Sequence, residues 1–591
     1  MIMKHFIYAL IAGCSIIFMN SCSDIKFGNE FLGDKPESSG ATLDVMFNSQ
    51  LNSDYVLNTA YSYLPYGLPI SGFNKLGGNV LESITDLQQS YRSQQADGPY
   101  NLYYNGVLSS RSTIGSEAYR FGSGNEYQAI RYALIYLENI DKVPDISEEL
   151  KLKRKAEAKM IMAISYAEML RYVGGVPLLK HSVDPNDEMT FPRNTFQETV
   201  DYIVQLIDEA KDDLKWKEDA VEDGRMTKAG ALGLKLRVLC FAASPTFNSN
   251  TKWHEEADEY TCYGNYDRER WGRAKNAGEE FFKELDKRKS YELIQPQEDT
   301  HDARRMAYRR GFYNRGGSEI LISTRKGYDV SLHDNFITAA VFSGPTLNYV
   351  DMFPWADGTD FPDDFDWESP SEQPFFKNTA PNVMGEPTRD PRLYETVAVP
   401  GDKFKDGTYA FVYSNSPKYR ICSGFLQMKF IMREESDRRG IPVHWPYLRL
   451  SEVLLSYAEA INEYDGKPNT TAYDCINQIR NRVGLGNLKN MSMDKIEFRE
   501  TLLKERALEL GFEEVRWFDL IRWGRVDDFT KKLYGLQSLG NDANNPYRFT
   551  FKKVELPVRH WACNWDTKWF LAPIPQEEVY KEYGMTQNPG W

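Results

Sequence analysis

Two stretches of this 591-residue chain hold the side chains best suited to grip a polyhydroxylated ligand. The first runs from Asp86 through LQQSYRSQQADGPYNLYYNG and offers Asp86, Tyr91, Arg92, Tyr103, Tyr104 and Asn105; the second supplies Tyr328, Trp355 and Trp367. A sugar ring has an apolar face of C–H bonds and a rim of hydroxyls. Aromatic platforms bury the face, while Asp, Asn and Arg make paired hydrogen bonds to the rim. Each of these aromatics has core packing as its competing role. Trp355 and Trp367 are the stronger candidates, because they sit among Pro, Gly and Asp, where an apolar helix partner is least evident.

Catalytic chemistry finds no comparable footing. There is no G-x-S-x-G nucleophile elbow, no G-x-x-x-x-G-K-[ST] phosphate loop and no G-x-G-x-x-G turn. HEEAD at His254 begins like a zinc-protease helix but lacks the second histidine, and the seven histidines are scattered. Carboxylate pairs for glycoside hydrolysis are defined by their separation in space, not in sequence, and among 85 acidic residues chance pairs are plentiful. The expectation is a binding protein and not an enzyme. Asp357, Asp360, Asp363, Asp364 and Asp366 crowd one loop with Gly358. Oxygen-rich loops can hold calcium, but this spacing is not that of an EF-hand. The expectation is no cofactor, with a structural calcium as the minor alternative.

Cys22 offers a different chemistry, covalent acylation. A leader with one basic residue, Lys4, is followed by mostly apolar residues from Phe6 to Phe18 and then by Met19, Asn20 and Ser21. That pattern reads as a secretory signal peptide over residues 1–21. Cleavage before an incidental thiol is the plainer alternative. Ile11, Ala12 and Gly13 before Cys14 look more like the lipobox of bacterial lipoproteins, yet cutting there would shorten the apolar region and leave Ile16, Ile17 and Phe18 at the mature end. Cys22 is therefore favoured as the lipidation site. The lipoprotein resemblance implies three acyl chains, and two already anchor stably.

Composition bounds the body. Charged residues make up 26% and aromatics 14%, which suits a folded chain with one large core or two moderate ones. The formal charge of −14, made one unit more negative by loss of Lys4, disfavours nucleic acid and other polyanions. Beyond Cys14 and Cys22, the cysteines at 240, 262, 422, 475 and 563 are odd in number and widely spaced, so neither a disulfide framework nor a zinc site is indicated.

Elements that could position the candidate residues are legible as helices. Apolar residues recur at three- and four-residue spacing at Tyr127, Ile130, Leu134 and Leu137, at Met160, Ala163, Ile164 and Ala167, and at Ile203, Leu206, Ile207, Ala210 and Leu214. The pattern returns at Leu232, Leu236 and Leu239 and again at Leu450, Val453, Leu454, Tyr457, Ala458 and Ile461. Units that cannot bury an apolar face alone stack into a solenoid, so the predicted fold is mainly α, a tetratricopeptide-like helical-repeat scaffold or α-α superhelix. Between Tyr291 and Trp445 helical periodicity fades into Gly, Pro, Asp and aromatics, which predicts loops and short hairpins, the usual carriers of binding. The expected division is an N-terminal helical region at 22–290, a variable loop and hairpin region at 291–445 and a C-terminal helical region with a tail at 446–591.

Several C-terminal motifs, in order, resemble the SusD/RagB family of outer-membrane nutrient-binding lipoproteins. They are YLRLSEVLLSYAEAIN (Tyr447 to Asn462), INQIRNRVGL (Ile476 to Leu485), LLKERALELGFEEVRWFDLIRWGR (Leu502 to Arg525), FLAPIPQEEV and the closing QNPGW. Upstream, EAKMIMAISYAEMLRYVGGVPLL, GRMTKAGALGLKLRVLCFAASP, RDPRL and CSDIKFGNEFLGDKPE are similar to family segments, so the resemblance covers nearly the whole chain. Leu134 stands where the family often has Asn, and Met162 where it often has Arg. The resemblance implies a lipid-anchored lid at the outer membrane, facing the exterior, that captures oligosaccharide and passes it to a SusC-like TonB-dependent barrel. It also implies polar ligand contacts from the segment after LESITD and aromatic contacts from the loops around LNYVDMFPWADG, matched here as regions. Peptide cargo, or a scaffold that binds only protein, are the alternatives. Read without the family, Glu505, Arg506, Glu509, Glu513 and Arg516 interleave with Leu502, Leu503, Leu510, Phe512 and Trp517. That stripe predicts an ion-pair lattice holding helix to helix.

Overall fold

Ser49, Ser147, Thr195 and Thr227 each stand just before an apolar-periodic run, and each side chain accepts a backbone N–H from the first turn of the helix it opens. In this computed structural model the described residues are 42–68, 80–90, 103–111, 125–183, 189–325, 343–370, 372–377, 383–405, 408–409, 423–431, 443–540 and 548–591. Helices α1 (Gln50–Ser62), α2 (Asn125–Asn139), α3 (Glu148–Val173), α4 (Phe196–Ala210), α5 (Lys228–Ala243) and α6 (Glu269–Arg288) follow in order, each packed on the next. Such packing of consecutive neighbours is the tetratricopeptide-like superhelix that the periodicity predicts. Thr195 and Glu198 form a capping box, and α3 ends at Gly174, whose positive φ of 83° suits a residue without a Cβ.

The chain then leaves the stack. Helix α7 (His301–Tyr313) leads into β2 (Ile320–Thr324), which pairs antiparallel with β6 (Trp445–Arg449). That pair closes the base of the irregular excursion between them. Inside the excursion lie β3 (Ser343–Pro345), the short helix α8 (Leu347–Met352), and the strands β4 (Val397–Ala398) and β5 (Leu426–Gln427), which pair with each other. Helix α7 departs from the expectation of loops and hairpins after Tyr291. Its buried face is carried by Arg305, Tyr308, Arg309, Phe312 and Tyr313, and the arginines reach Glu395 and Asp402. An inward face built of paired arginines leaves no aliphatic periodicity to read.

After β6, helix α9 (Leu450–Asp465) returns to the stack and lies against α5 and α6, so both ends of the chain build one solenoid. Gly278 permits that approach, because a Cβ there would sit 2.1 Å from Cδ2 of Tyr457. Helices α10 (Thr470–Arg482), α11 (Lys495–Leu510) and α12 (Arg516–Arg522) follow, then the hairpin of β7 (Tyr534–Gly540) and β8 (Phe549–Glu555). Two apolar cores result. The larger fills the helical stack, and the smaller, rich in aromatics, lies under the excursion and takes Ala507, Leu508 and Phe512 from α11 and the turn after it. No helix among the described residues is long and apolar enough to cross a membrane.

Candidate functional site

The two stretches singled out by residue type meet at a strand pair. β1 (Gln88–Ser90) runs antiparallel to β3 with Gln88 opposite Pro345 and Ser90 opposite Ser343. The junction is locked at one end by Thr346, whose amide donates to the Leu87 carbonyl at 2.9 Å and whose hydroxyl donates to the Asp86 carbonyl at 2.5 Å. Thr346 also caps α8, so one side chain fixes both where the loop region starts and how it meets β1. Arg559 braces the other side, its guanidinium donating to the carbonyls of Thr85 and Gln88 while stacking over Tyr104. Sequence reasoning missed Arg559, and nothing in the isolated tail around it signals that role.

The individual candidates divide sharply. Asp86 is fully buried and bound by Arg516, at 3.0 and 2.9 Å, and by Lys531 at 2.8 Å. Burial pushes its carboxyl up, but the two cations overcome that and hold it well below the usual carboxylate range. Reading Asp86 as a ligand contact is therefore corrected: it is a structural tie between β1 and α12. Tyr104 is likewise turned inward, its hydroxyl donating to the Ser83 carbonyl and accepting the Ser90 amide, and Tyr103 packs its ring against Trp561 and Trp569. Both are core residues and not sugar platforms. Trp367, 3% exposed, is corrected on the same ground, since Phe361, Phe365, Phe375 and Phe551 surround it.

Two candidates keep accessible surface. Asn105 is exposed in the turn after Tyr104. Trp355 is half-buried, with its ring 5.0 Å from Phe361 and the guanidinium of the fully buried Arg389 behind it at 5.4 Å. Its backbone is fixed by the Thr359 carbonyl, which accepts its amide at 2.8 Å, and by the Gly358 amide, which donates to its carbonyl. A partly exposed ring held by a cation and aromatics is preorganised to stack. Tyr91, Arg92, Tyr328 and Cys22 lie outside the described residues.

The acidic loop beside Trp355 does not gather its oxygens. Asp357, Asp360, Asp363, Asp364 and Asp366 are all exposed; Asp360 pairs with Lys504 at 2.8 Å, and Asp357 and Asp366 accept backbone amides of their own loop. Among the described residues no group of three or more His, Cys, Asp or Glu could hold a metal ion, so the structural-calcium alternative finds no donor set there.

A helical-repeat scaffold carrying an excursion of loops on a locked strand pair defines a protein of the superhelical class. Comparison with known proteins makes this specific. The SusD family model matches residues 324–591. A SusD-like protein of Formosa agariphila is 26% identical over 427 residues, covering 68% of this chain and 73% of that one. Among solved structures, a SusD-like protein of Bacteroides fragilis NCTC 9343 superposes with a TM-score of 0.70 at 23% identity, covering 93% of this chain and 98% of that chain. A SusD-like carbohydrate-binding protein of the same strain gives 0.65 at 18% identity, covering 90% and 98%. Residues 324–591 thus match the SusD family, and the chain shares the fold of solved SusD-like proteins, one of which is a carbohydrate-binding protein.

Proposed function

We propose that this chain is a cell-surface glycan-binding lipoprotein, without catalytic activity, that captures oligosaccharides and delivers them to a SusC-like TonB-dependent transporter in the outer membrane. The observation that best supports this is the β1–β3 pair. It joins, on one rigid base, the two regions where the family resemblance puts polar and aromatic ligand contacts. Trp355 and Asn105 are the described candidates with surface to offer, and Tyr91, Arg92 and Tyr328 belong to the same proposed site.

Binding to a glycan array by the purified protein is the test. Trp355→Ala is expected to weaken oligosaccharide affinity about tenfold by calorimetry while leaving the melting transition close to that of the parent, the loss expected for one stacking ring. Unchanged affinity would place the site elsewhere. Binding to peptide arrays alone would turn the reading to peptide cargo, and co-purification with a barrel without any small ligand would turn it to a protein scaffold.

The anchor has its own check. Mass spectrometry of the mature N-terminus is expected to find Cys22 carrying a diacylglyceryl group and an N-acyl chain, each buried methylene contributing about 0.8 kcal/mol to membrane attachment. An unmodified Cys22 would remove the tether.

A further inference from the structure

A cavity of about 450 Å³ opens between α2, the segment after α3, and the C-terminal tail. Its walls are apolar: Leu134 from α2, Met169 from α3, Val176 and Leu179 from the segment that follows, and Tyr583 and Met585 from the tail. The walls are fixed to one another. The Phe191 amide donates to the Tyr583 carbonyl at 2.9 Å and the Arg193 amide to that of Gly584 at 3.3 Å, while the rings of Phe191 and Tyr583 meet edge to face at 5.8 Å. A cavity of this size, mostly apolar with a few polar groups, matches the sites that bind small organic ligands. Methionine walls adapt to irregular shapes.

Charge at the cavity indicates what enters. Glu578 is neutralised by Lys581 at 2.7 Å, and Glu126 is buried. Arg131, one turn beyond Tyr127 on α2, lines the same cavity, is exposed, and makes no ion pair among the described residues. A guanidinium with no ion pair among the described residues, beside an apolar chamber, fits a ligand with an apolar body and an anionic group, because the guanidinium forms charge-assisted hydrogen bonds to carboxylates. None of these side chains belongs to the β1–β3 face.

We propose that this cavity is a second binding site, for a carboxylate-bearing amphiphile whose acyl chain or fused rings occupy the chamber and whose anionic group meets Arg131.

The probes are 8-anilino-1-naphthalenesulfonate, which has an apolar body and an anion, and N-phenyl-1-naphthylamine, which has a similar body without charge. The full-length protein is expected to bind one equivalent of either by fluorescence titration, with its melting transition intact, and dodecanoate is expected to displace both. Arg131→Ala should weaken the sulfonate about tenfold and leave the neutral probe unchanged, as for loss of one charged hydrogen bond at an open site. Leu179→Trp, or Val183→Trp nearer the surface should the first not fold, should fill the chamber and abolish both. Absence of one-to-one binding, retention of both probes in the tryptophan variants, or equal affinity of the sulfonate for Arg131→Ala would each overturn the proposal.

Discussion

Replacing Arg482 with methionine is expected to remove about 3–5 kcal/mol of folding stability, read from guanidinium unfolding curves at neutral pH. Arg482 is fully buried at the end of α10 and bridges two buried carboxylates, Glu319 at 2.9 Å and Glu509 at 2.6 Å to each oxygen. Around that bridge Arg449 binds Glu513 and Glu509, Arg392 binds Asp390, Glu505 and Glu509, Lys429 binds Glu513, and Arg480 approaches Glu505. Arg392, Lys429, Arg449, Arg480 and Arg482 thus face an equal number of carboxylates, Glu319, Asp390, Glu505, Glu509 and Glu513. Removing one cation strands a buried negative charge, which is why the expected loss far exceeds that of a surface pair. Arg482→Lys should recover only part of it, since an ammonium cannot make the parallel bonds to Glu509. Arg482→Met combined with Glu509→Leu removes one charge of each sign, so the double change should cost clearly less than the sum of the single ones. Additive losses would mean the residues do not act as a lattice.

The same lattice shows why some features were legible in the sequence and others were not. Helix existence follows from local spacing: the runs at 127–137, 160–167, 232–239 and 450–461 fall within helices, and that at 203–214 does so up to Ala210, with Leu214 in the turn beyond. The charged stripe of Leu502 to Arg525 was also legible as structural. Its partners were not, because Glu509 meets Arg392 across 117 positions, and Arg516 meets Asp86 across 430. Asp86 looked like a ligand contact for that reason alone: its neighbours in sequence are polar and aromatic, while the cation that claims it lies near the other end of the chain. Trp367 failed in a related way. Its surroundings in sequence lack a helical apolar face, but its loop brings its own phenylalanines, and β8 adds Phe551. Regions were recoverable because a β1–β3 meeting needs only two segments of the right character. Individual contacts needed the long-range pairing that local pattern does not carry.

Glu82→Gln is expected to stabilise the protein at pH 8.5 and to leave it nearly unchanged at pH 4.5. Glu82 is fully buried in the LESITD segment, four residues before Asp86, and Oε1 accepts the Glu514 amide at 3.0 Å. Burial, reinforced by the nearby Glu514 carboxylate and only partly countered by that amide, Lys429 and Arg516, pushes its carboxyl up to about 8 from the ordinary 4.5. The sign follows from proton linkage. Below pH 4.5 the folded and unfolded chains both hold the proton, and stability does not depend on this group. Between 4.5 and about 8 the unfolded chain releases it while the folded chain retains it, so stability falls with rising pH, at about 1.4 kcal/mol per unit, and levels off above. The accumulated cost is on the order of 5 kcal/mol, and a neutral amide of the same shape avoids it while still accepting the Glu514 N–H. Asp351, pushed up to about 7 by burial, adds a cost of the same sign in the wild-type chain and in the variant alike. The check is the difference between the unfolding free energies of variant and wild type at pH 4.5, 6.5 and 8.5, which should widen at each step; a constant difference would mean that Glu82 is already ionised in the folded chain at low pH. Asp86 behaves oppositely, its ionised form held by Arg516 and Lys531, so the segment that supports β1 carries one acid kept neutral and one kept charged. The neutral one lies behind the Glu514 turn, and the charged one ties the proposed ligand-binding face to α12.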